Sequence, residues 1–300
     1  MQPRNVVITG ANSGIGFQAA LRLAGDGAKV VMACRNLDKG QAARHQILEE
    51  VPGADVLLLR LDVSSLDSIR AFGEQLSRQV GPLDTLINNA GIAAIPLARN
   101  GAGHEMQLAT NYLGAFALTG TLLPLFSKQR PARVVNVGSL AHRFGKPAVE
   151  DLNWEAAPYD HWKAYARSKL AVLSFTLELD RRLRKLDSNI ASLAAHPGFA
   201  VTEIHTKSEV LTPKSAFSKW FKGKMAHIIP PAAAAARPII LAASADHVRG
   251  GEYYGPGGFL EIGGKPAPAR MNPIANDVAM RRELWAVSES MTGVRYLSDL

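Results

Sequence analysis

The amino-acid sequence predicts an α/β fold: a doubly wound, seven-stranded parallel sheet in a single domain with a C-terminal helical tail. Apolar runs of strand length alternate with longer segments of helical periodicity, an order typical of β-α-β units with right-handed crossovers. The runs are nearly continuous in Val, Ile and Leu, as expected of strands buried on both faces. The predicted strands are residues 5–9, 29–34, 55–61, 85–88, 133–137, 190–195 and 251–254.

Helical patterns fill the intervals between these strands. Ser64 and Asp67 have the spacing of a capping pair and predict the start of the third helix. Pro238 lies inside the sixth helical segment, where it predicts either a kink or a helix that begins after Pro231. The predicted helices are residues 15–25, 37–50, 65–79, 104–125, 163–186 and 231–243, with an added C-terminal helix at 274–289.

The composition fits one globular domain. The 300 residues are 47% hydrophobic and 20% charged, which supplies ample material for a core. We assign residues 1–264 to this domain, with a substrate loop at 202–230, and residues 265–300 to a C-terminal extension. The single cysteine, Cys34, cannot form an internal disulfide. Because no leader pattern and no apolar run near ~20 residues is found, we expect a cytoplasmic protein without a transmembrane segment.

The net charge of +8 raises the question of a polyanionic partner. The basic residues are scattered, and the densest group, residues 181–185, falls at the end of a predicted helix, where the helix dipole favours cations. A solvated helix end therefore explains this group better than a nucleic-acid patch, and we expect no nucleic-acid partner. His142, His161 and His196 lack the spacing of metal ligands, so no metal site is expected.

A glycine loop, Gly10-x-x-x-Gly14-x-Gly16, follows the first strand and opens the first helix. Glycines allow a tight turn and close backbone approach, and the helix N-terminus offers N–H groups to a pyrophosphate. A glycine triplet alone is also explained by a structural turn. The strand before it and the helix after it favour a dinucleotide site.

The end of the second strand indicates which dinucleotide binds. NAD-specific folds usually carry an acidic residue there for the ribose 2′-hydroxyl, whereas this chain has Cys34 and Arg35, with Lys39 one turn later. A guanidinium can bind a 2′-phosphate through charge-assisted hydrogen bonds. We therefore expect NADP(H) in preference to NAD(H); the alternative is an exposed arginine at a helix start.

Tyr165 and Lys169 are four residues apart, so their side chains share one face of a helix. A cation about 4 Å from a phenol, at an effective dielectric of ~20, contributes roughly 4 kcal/mol, or about three pKa units. We therefore expect Lys169 to bring the pKa of Tyr165 toward neutrality, where acid–base catalysis is efficient. Hydroxyls of Ser139 and Tyr165 could stabilise negative charge on a carbonyl oxygen. Taken singly, a turn serine and a packing tyrosine explain these residues as well.

Taken together, these motifs resemble those of the short-chain dehydrogenases/reductases over about residues 4–263. The resemblance implies a Rossmann fold and hydride transfer between NAD(P)(H) and an alcohol or carbonyl group. More narrowly, residues 33–36, 151–154, 164–170 and 254–259 are similar to the retinol-dehydrogenase-like branch, which includes the oxidoreductases that bear WW domains. The motifs are Thr9-Gly10-x-x-x-Gly14-x-Gly16, Asn88-Asn89-Ala90-Gly91, Asn111, Ser139 and Tyr165-x-x-x-Lys169.

The resemblance implies a role for each matching residue. Tyr165 is the general acid/base, Lys169 lowers its pKa and binds the nicotinamide ribose, and Ser139 binds the substrate oxygen. Asn111 supports a water in a proton relay. A homodimer or homotetramer, formed through the helices that carry Asn111 and Tyr165, is implied as well. The implied cofactor-binding residues are Gly10, Asn12, Ser13, Gly14, Ile15, Gly16, Arg35, Asn36, Asp62, Val63, Asn89, Ala90, Gly91, Tyr165, Lys169, Pro197, Gly198 and Thr202.

The favoured function is NADP(H)-dependent conversion of a small to medium lipophilic alcohol or carbonyl compound. A non-catalytic NADP(H)-binding regulator and a nucleotide-sugar epimerase or dehydratase remain as alternatives. Phe217, Trp220 and Phe221 share a helical face within the substrate loop, among several lysines. That 214–225 segment is interpreted as a surface helix, a lid over the substrate, or a docking surface for a membrane or an acidic partner.

Overall fold

The computed structural model describes residues 4–198 and 230–298 of the chain. The strands are β1 (Asn5–Thr9), β2 (Lys29–Cys34), β3 (Val56–Arg60), β4 (Thr85–Asn88), β5 (Ala132–Val137), β6 (Ile190–Ala195), β7 (Tyr253–Pro256) and β8 (Pro266–Pro268). They form one sheet in the order β3-β2-β1-β4-β5-β6-β7-β8, in which only the β7–β8 pair is antiparallel. The doubly wound α/β prediction is confirmed, with β8 added to the expected parallel sheet.

Helices cover both faces of this sheet. They are α1 (Gly14–Gly25), α2 (Leu37–Glu50), α3 (Leu66–Gln79), α4 (Met106–Leu108), α5 (Gly114–Leu122), α6 (His161–Lys185), α7 (Ala232–Ser244) and α8 (Val278–Thr292). Successive strand residues point to opposite faces, so Val6 and Ile8 join the core under α1, α2 and α7, while Val7 joins the core under α3, α5, α6 and α8. This double burial explains the continuous apolar runs.

Two details of the helices differ from or refine the predictions. Ser65, not Ser64, caps α3, because the Ser65 hydroxyl accepts from the Ser68 amide at 3.3 Å. The Ser64 hydroxyl instead donates to Asp62. Helix α7 begins at Ala232, after Pro231, and continues through Pro238. This start is one of the two predicted alternatives.

The C-terminal extension belongs to the same core as the rest of the fold. Strand β8 pairs with β7, and α8 places Trp285 against Phe116 and Phe175, with ring centroids 5.0 and 5.9 Å apart. The Arg182 guanidinium lies 4.3 Å from the centroid of the Trp285 ring. Residues 265–298 therefore complete the sheet edge and one helical layer.

One helical stretch within the described residues, Met106–Leu125, is long and apolar enough to cross a membrane, unlike the sequence-based expectation. In the structure 67% of that stretch is buried inside the fold. Core helices of soluble proteins meet the same criteria, so this finding is weak support for a membrane span.

Candidate active site

The predicted site residues meet at one edge of the sheet. Parallel pairing of β1, β4, β5 and β6 brings the carboxyl ends of these strands side by side. The glycine loop follows β1, Asn89 follows β4, Ser139 follows β5 and Pro197 follows β6. Open α/β sheets bind their ligands at this edge.

Hydrogen bonds fix the start of the glycine loop to the loop that follows β4. The Thr9 hydroxyl accepts from the backbone amides of Asn89 and Ala90 at 2.9 and 2.8 Å. The Asn89 side chain donates to the Thr9 carbonyl at 2.8 Å. Gly10 and Gly14 adopt left-handed φ angles of 66° and 57°, which side chains other than glycine rarely adopt.

The start of α1 fits a bound pyrophosphate. Ser13 is the N-cap residue but makes no side-chain capping bond, so its side chain leaves the first N–H groups of α1 uncapped. A Cβ atom at Gly16 would lie 2.4 Å from the Asn89 amide nitrogen and 2.6 Å from the Gly10 carbonyl oxygen. The loop therefore has the compact backbone that a dinucleotide cradle requires. Asn12 lies in this loop, and Ile15 lies in the first turn of α1.

The expected adenosine side is formed by the ends of β2 and β3. Arg35 is exposed, and Asn36 caps α2 by accepting from the Lys39 amide at 2.8 Å. Cys34 is fully buried beneath the glycine loop, and burial raises the pKa of its thiol to about 11. After β3, Asp62 accepts from the Ser64 amide at 3.0 Å, which shapes the turn that contains Val63.

Ser139 and Tyr165 are brought together across the site. Ser139 caps the short 3₁₀ turn Leu140–Phe144 after β5, and its hydroxyl accepts from the Ala141 amide at 3.2 Å. Tyr165, in the second turn of α6, is hydrogen-bonded to the Ser139 side chain. The Trp162 ring packs edge-on against Tyr165, with centroids 6.4 Å apart. The two hydroxyls expected to bind a substrate oxygen therefore lie close to each other.

Lys169 lies on the same helix face but is directed toward β5. Its ammonium donates to the Val137 carbonyl at 2.8 Å and lies 6.0 Å from the centroid of the Tyr165 ring. Burial lowers the pKa of Lys169 to about 8. Burial also raises the pKa of Tyr165 above its usual value, with the Ser139 hydrogen bond opposing that change. In this arrangement the expected lowering of the Tyr165 pKa is not found, because desolvation of the phenol dominates.

Asn111 lies in a π-helical turn, Ala109–Leu113, between α4 and α5. Such turns often occur at functional sites. The Asn111 side chain accepts from the Ile92 amide at 2.8 Å and donates to the Ile92 carbonyl and the Ser168 hydroxyl, each at 2.9 Å. A Cβ atom at Gly91 would lie 3.2 Å from the Asn111 oxygen and 3.7 Å from the Lys169 nitrogen. Gly91 thus leaves the space beside these two polar groups free of a side chain.

Comparison with known proteins identifies the family of the chain. A family model described as short chain dehydrogenase matches residues 4–210. The chain is a short-chain dehydrogenase. The dehydrogenase is 38% identical to retinol dehydrogenase 13 of Mus musculus over 296 residues, which cover 97% of this chain and 84% of the relative. It is 43% identical to retinol dehydrogenase 12 of Homo sapiens over 206 residues, 69% of this chain and 64% of that relative.

A solved structure agrees with these sequence matches. An uncharacterised protein from Mycobacterium paratuberculosis aligns with the dehydrogenase at a TM-score of 0.80 and 39% identity, covering 98% of this chain and 94% of the other. The fold and the retinol-dehydrogenase-like branch predicted from the motifs are both confirmed.

The structure of the dehydrogenase adds residues that the sequence motifs missed. Tyr253 on β7 is buried beside Gly138, where a Cβ atom would lie 3.1 Å from its hydroxyl oxygen. That hydroxyl has no hydrogen-bond partner within residues 4–198 and 230–298. His196 and Glu261 contact each other beside Gly198. Pro197–Gly198 and residues 254–259 lie next to them in the sequence, but the contacts that these residues make appear only in the three-dimensional packing.

Other predictions fall outside the described residues or concern metals. Thr202 and nearly all of the predicted substrate loop, including Phe217, Trp220 and Phe221, lie outside the described part of the dehydrogenase. Within the described ranges no group of three or more His, Cys, Asp or Glu side chains could hold a metal ion.

Proposed function

We propose that the dehydrogenase transfers a hydride between NADP(H) and an alcohol or carbonyl group of a small to medium lipophilic substrate. The observation that carries this proposal is the hydrogen-bonded Ser139–Tyr165 pair beside the buried Lys169 ammonium, next to the glycine loop. The matched relatives are named retinol dehydrogenases, and retinol is a lipophilic alcohol. This likeness supports the substrate class.

The cofactor, when bound, supplies the hydride, and the side chains act on the substrate oxygen. In the reducing direction, Ser139 and Tyr165 donate hydrogen bonds to the carbonyl oxygen, on which negative charge develops. By analogy with oxyanion-hole donors, each hydrogen bond contributes about 3 kcal/mol to the transition state. Tyr165 then gives its proton to that oxygen. Lys169 holds a positive charge on the same helix face as the phenol and returns a proton to it. Asn111 is bonded to Ser168, the residue before Lys169.

The preference for NADP(H) is supported by Arg35 and Lys39, both exposed beside the N-terminus of α2. A guanidinium there can pair with the 2′-phosphate, whereas a carboxylate would repel it. We expect kcat/KM to be higher with NADPH than with NADH, and Arg35→Asp to reverse this preference. A wild-type enzyme that prefers NADH would contradict the role of Arg35.

A panel of aldehydes, ketones, retinoids and steroids, monitored by NADPH absorbance, tests the catalytic function. Turnover that is lost in Tyr165→Phe supports the proposal. If NADPH binds but no member of the panel is turned over, the non-catalytic regulator becomes the better interpretation.

A further inference from the structure

His196 connects β6 to the backbone of Gly198. The imidazole is fully buried directly after β6, and its Nδ1 accepts from the Gly198 amide at 3.1 Å. Because an amide N–H can only donate, Nδ1 must carry a lone pair. The ring hydrogen is therefore on Nε2, which lies 2.9 Å from a carboxylate oxygen of Glu261. This geometry fixes one neutral tautomer of His196.

Glu261 also contacts the turn that follows Ser139. The same carboxylate oxygen lies 2.7 Å from the Arg143 guanidinium, and Arg143 belongs to the 3₁₀ turn Leu140–Phe144 capped by Ser139. One carboxylate thus joins the segment after β5 to the segment after β6. These are the two segments between which the substrate and the nicotinamide would lie.

The surrounding backbone is shaped to accept this contact. A Cβ atom at Gly255 would lie 1.9 Å from His196 Nε2, and one at Gly198 would lie 2.4 Å from the Ile262 carbonyl oxygen. Glu261 has a left-handed φ of 58°, a conformation that is strained for a non-glycine residue. Strain of this kind persists where the surrounding contacts hold it in place.

We propose that Glu261 is a positioning residue for the nicotinamide half of the dinucleotide, acting through His196 on the Pro197–Gly198 backbone and through Arg143 on the turn after Ser139. This inference rests on the proposed function, because its ligand is the dinucleotide. The adenosine half of the site, at Arg35 and Asp62, makes no contact with this network within the described residues.

The charges around His196 agree with a neutral ring. Burial lowers the pKa of His196 to about 4, and the nearby His142 and Arg143 act in the same direction, while Glu261 opposes them. Tyr253 packs against the ring with centroids 5.1 Å apart. At neutral pH the imidazole therefore keeps the Nδ1 lone pair that Gly198 requires.

The test compares two ligands in wild type and Glu261→Gln: the preferred dinucleotide and its adenosine half, which is 2′,5′-ADP for NADPH or ADP for NADH. We expect Glu261→Gln to weaken dinucleotide binding about tenfold, since a hydrogen bond to a charged group contributes roughly 1.5–3 kcal/mol, and to leave the adenosine half unchanged. The control Glu283→Gln removes a carboxylate that is exposed on α8 and should change neither dissociation constant. Equal weakening of both ligands, or of neither, would overturn the proposal.

A second measurement does not depend on turnover or on the stability of a variant. Long-range ¹H–¹⁵N NMR of the wild-type protein should show the Nε2–H tautomer of His196 near pH 7. An Nδ1–H tautomer or an imidazolium would overturn the network. Wild-type protein that binds neither ligand would instead refute the proposed function, and the positioning role with it.

Discussion

At the scale of single residues, Tyr165 interacts with Ser139 and is itself largely removed from water. Tyr165 is 9% exposed, and its hydrogen bond to Ser139 partly offsets the desolvation that raises its pKa. A phenol with a raised pKa remains protonated at neutral pH. In the absence of other charges it serves better as a proton donor to a carbonyl than as a base.

Tyr165→Phe should therefore lower kcat for carbonyl reduction by about 10²- to 10⁴-fold, the usual contribution of a general acid. The dissociation constant of the dinucleotide should stay nearly unchanged, since the other residues expected to bind it are left in place. Steady-state kinetics and cofactor titration measure both effects. Tyr254→Phe, which removes a phenol bonded to Glu252, serves as the control, and full activity of Tyr165→Phe would remove Tyr165 as the acid.

The pKa of Lys169 predicts how kcat/KM for reduction depends on pH. Its pKa is lowered to about 8 by burial, so the side chain is charged below that pH and neutral above it. Because burial raises the pKa of Tyr165 above that of a free phenol, the phenol does not titrate in this range. We expect kcat/KM for reduction to fall as the pH rises through about 8, and Lys169→Met to lack this change. A fall that begins only at a pH well above 8 would assign the titration to Tyr165 instead.

At the scale of elements, the glycine loop is a feature that the spacing of its glycines predicts from the sequence. The turn, the left-handed glycines and the start of α1 are all local, so seven consecutive residues specify them. The motif does not reveal the loop after β4, where Asn89 reaches back 80 positions to the Thr9 carbonyl. The resemblance to a known family placed Asn89 at the cofactor site but did not predict this hydrogen bond.

Gly16→Ala should weaken dinucleotide binding by about tenfold or more. The added methyl group would meet the Gly10 carbonyl and the Asn89 side chain, so the backbone of the loop would have to move away from its compact form. Isothermal titration measures the affinity, and a thermal melt reports the cost to stability. Gly101→Ala is the matched control, because a Cβ atom there meets nothing within 4 Å. Unchanged affinity in Gly16→Ala would show that the loop tolerates a side chain.

At the scale of the whole molecule, the features that the sequence did not predict depend on long-range contacts. Strand β8 (Pro266–Pro268) begins and ends with proline, which lacks the N–H of a strand residue, so its sequence carries no strand signal. It is tolerated because β8 is at the sheet edge. The Glu261–His196 contact spans 65 positions and has no periodic pattern that could predict it.

Assembly is a further prediction at this scale. The homodimer or homotetramer implied by the family would use the helices that carry Asn111 and Tyr165. In this chain α8 covers part of both, because Trp285 contacts Phe116 on α5 and Phe175 on α6. An interface in this region would therefore have to include the outer side of α8. Light scattering at micromolar concentration measures the mass, and a monomer would contradict the prediction.

Helix α8 should contribute strongly to the stability of the whole domain. Trp285 is 2% exposed and packs against Phe116, Phe175, Tyr296 and the Arg182 guanidinium. Trp285→Ala should lower the free energy of unfolding by about 3–5 kcal/mol, the usual cost of truncating a buried aromatic side chain. Val278→Ala on the exposed start of the same helix should cost less than about 0.5 kcal/mol. Urea denaturation measures both, and equal, small losses would mean that residues 265–298 form an appendage instead of part of the core.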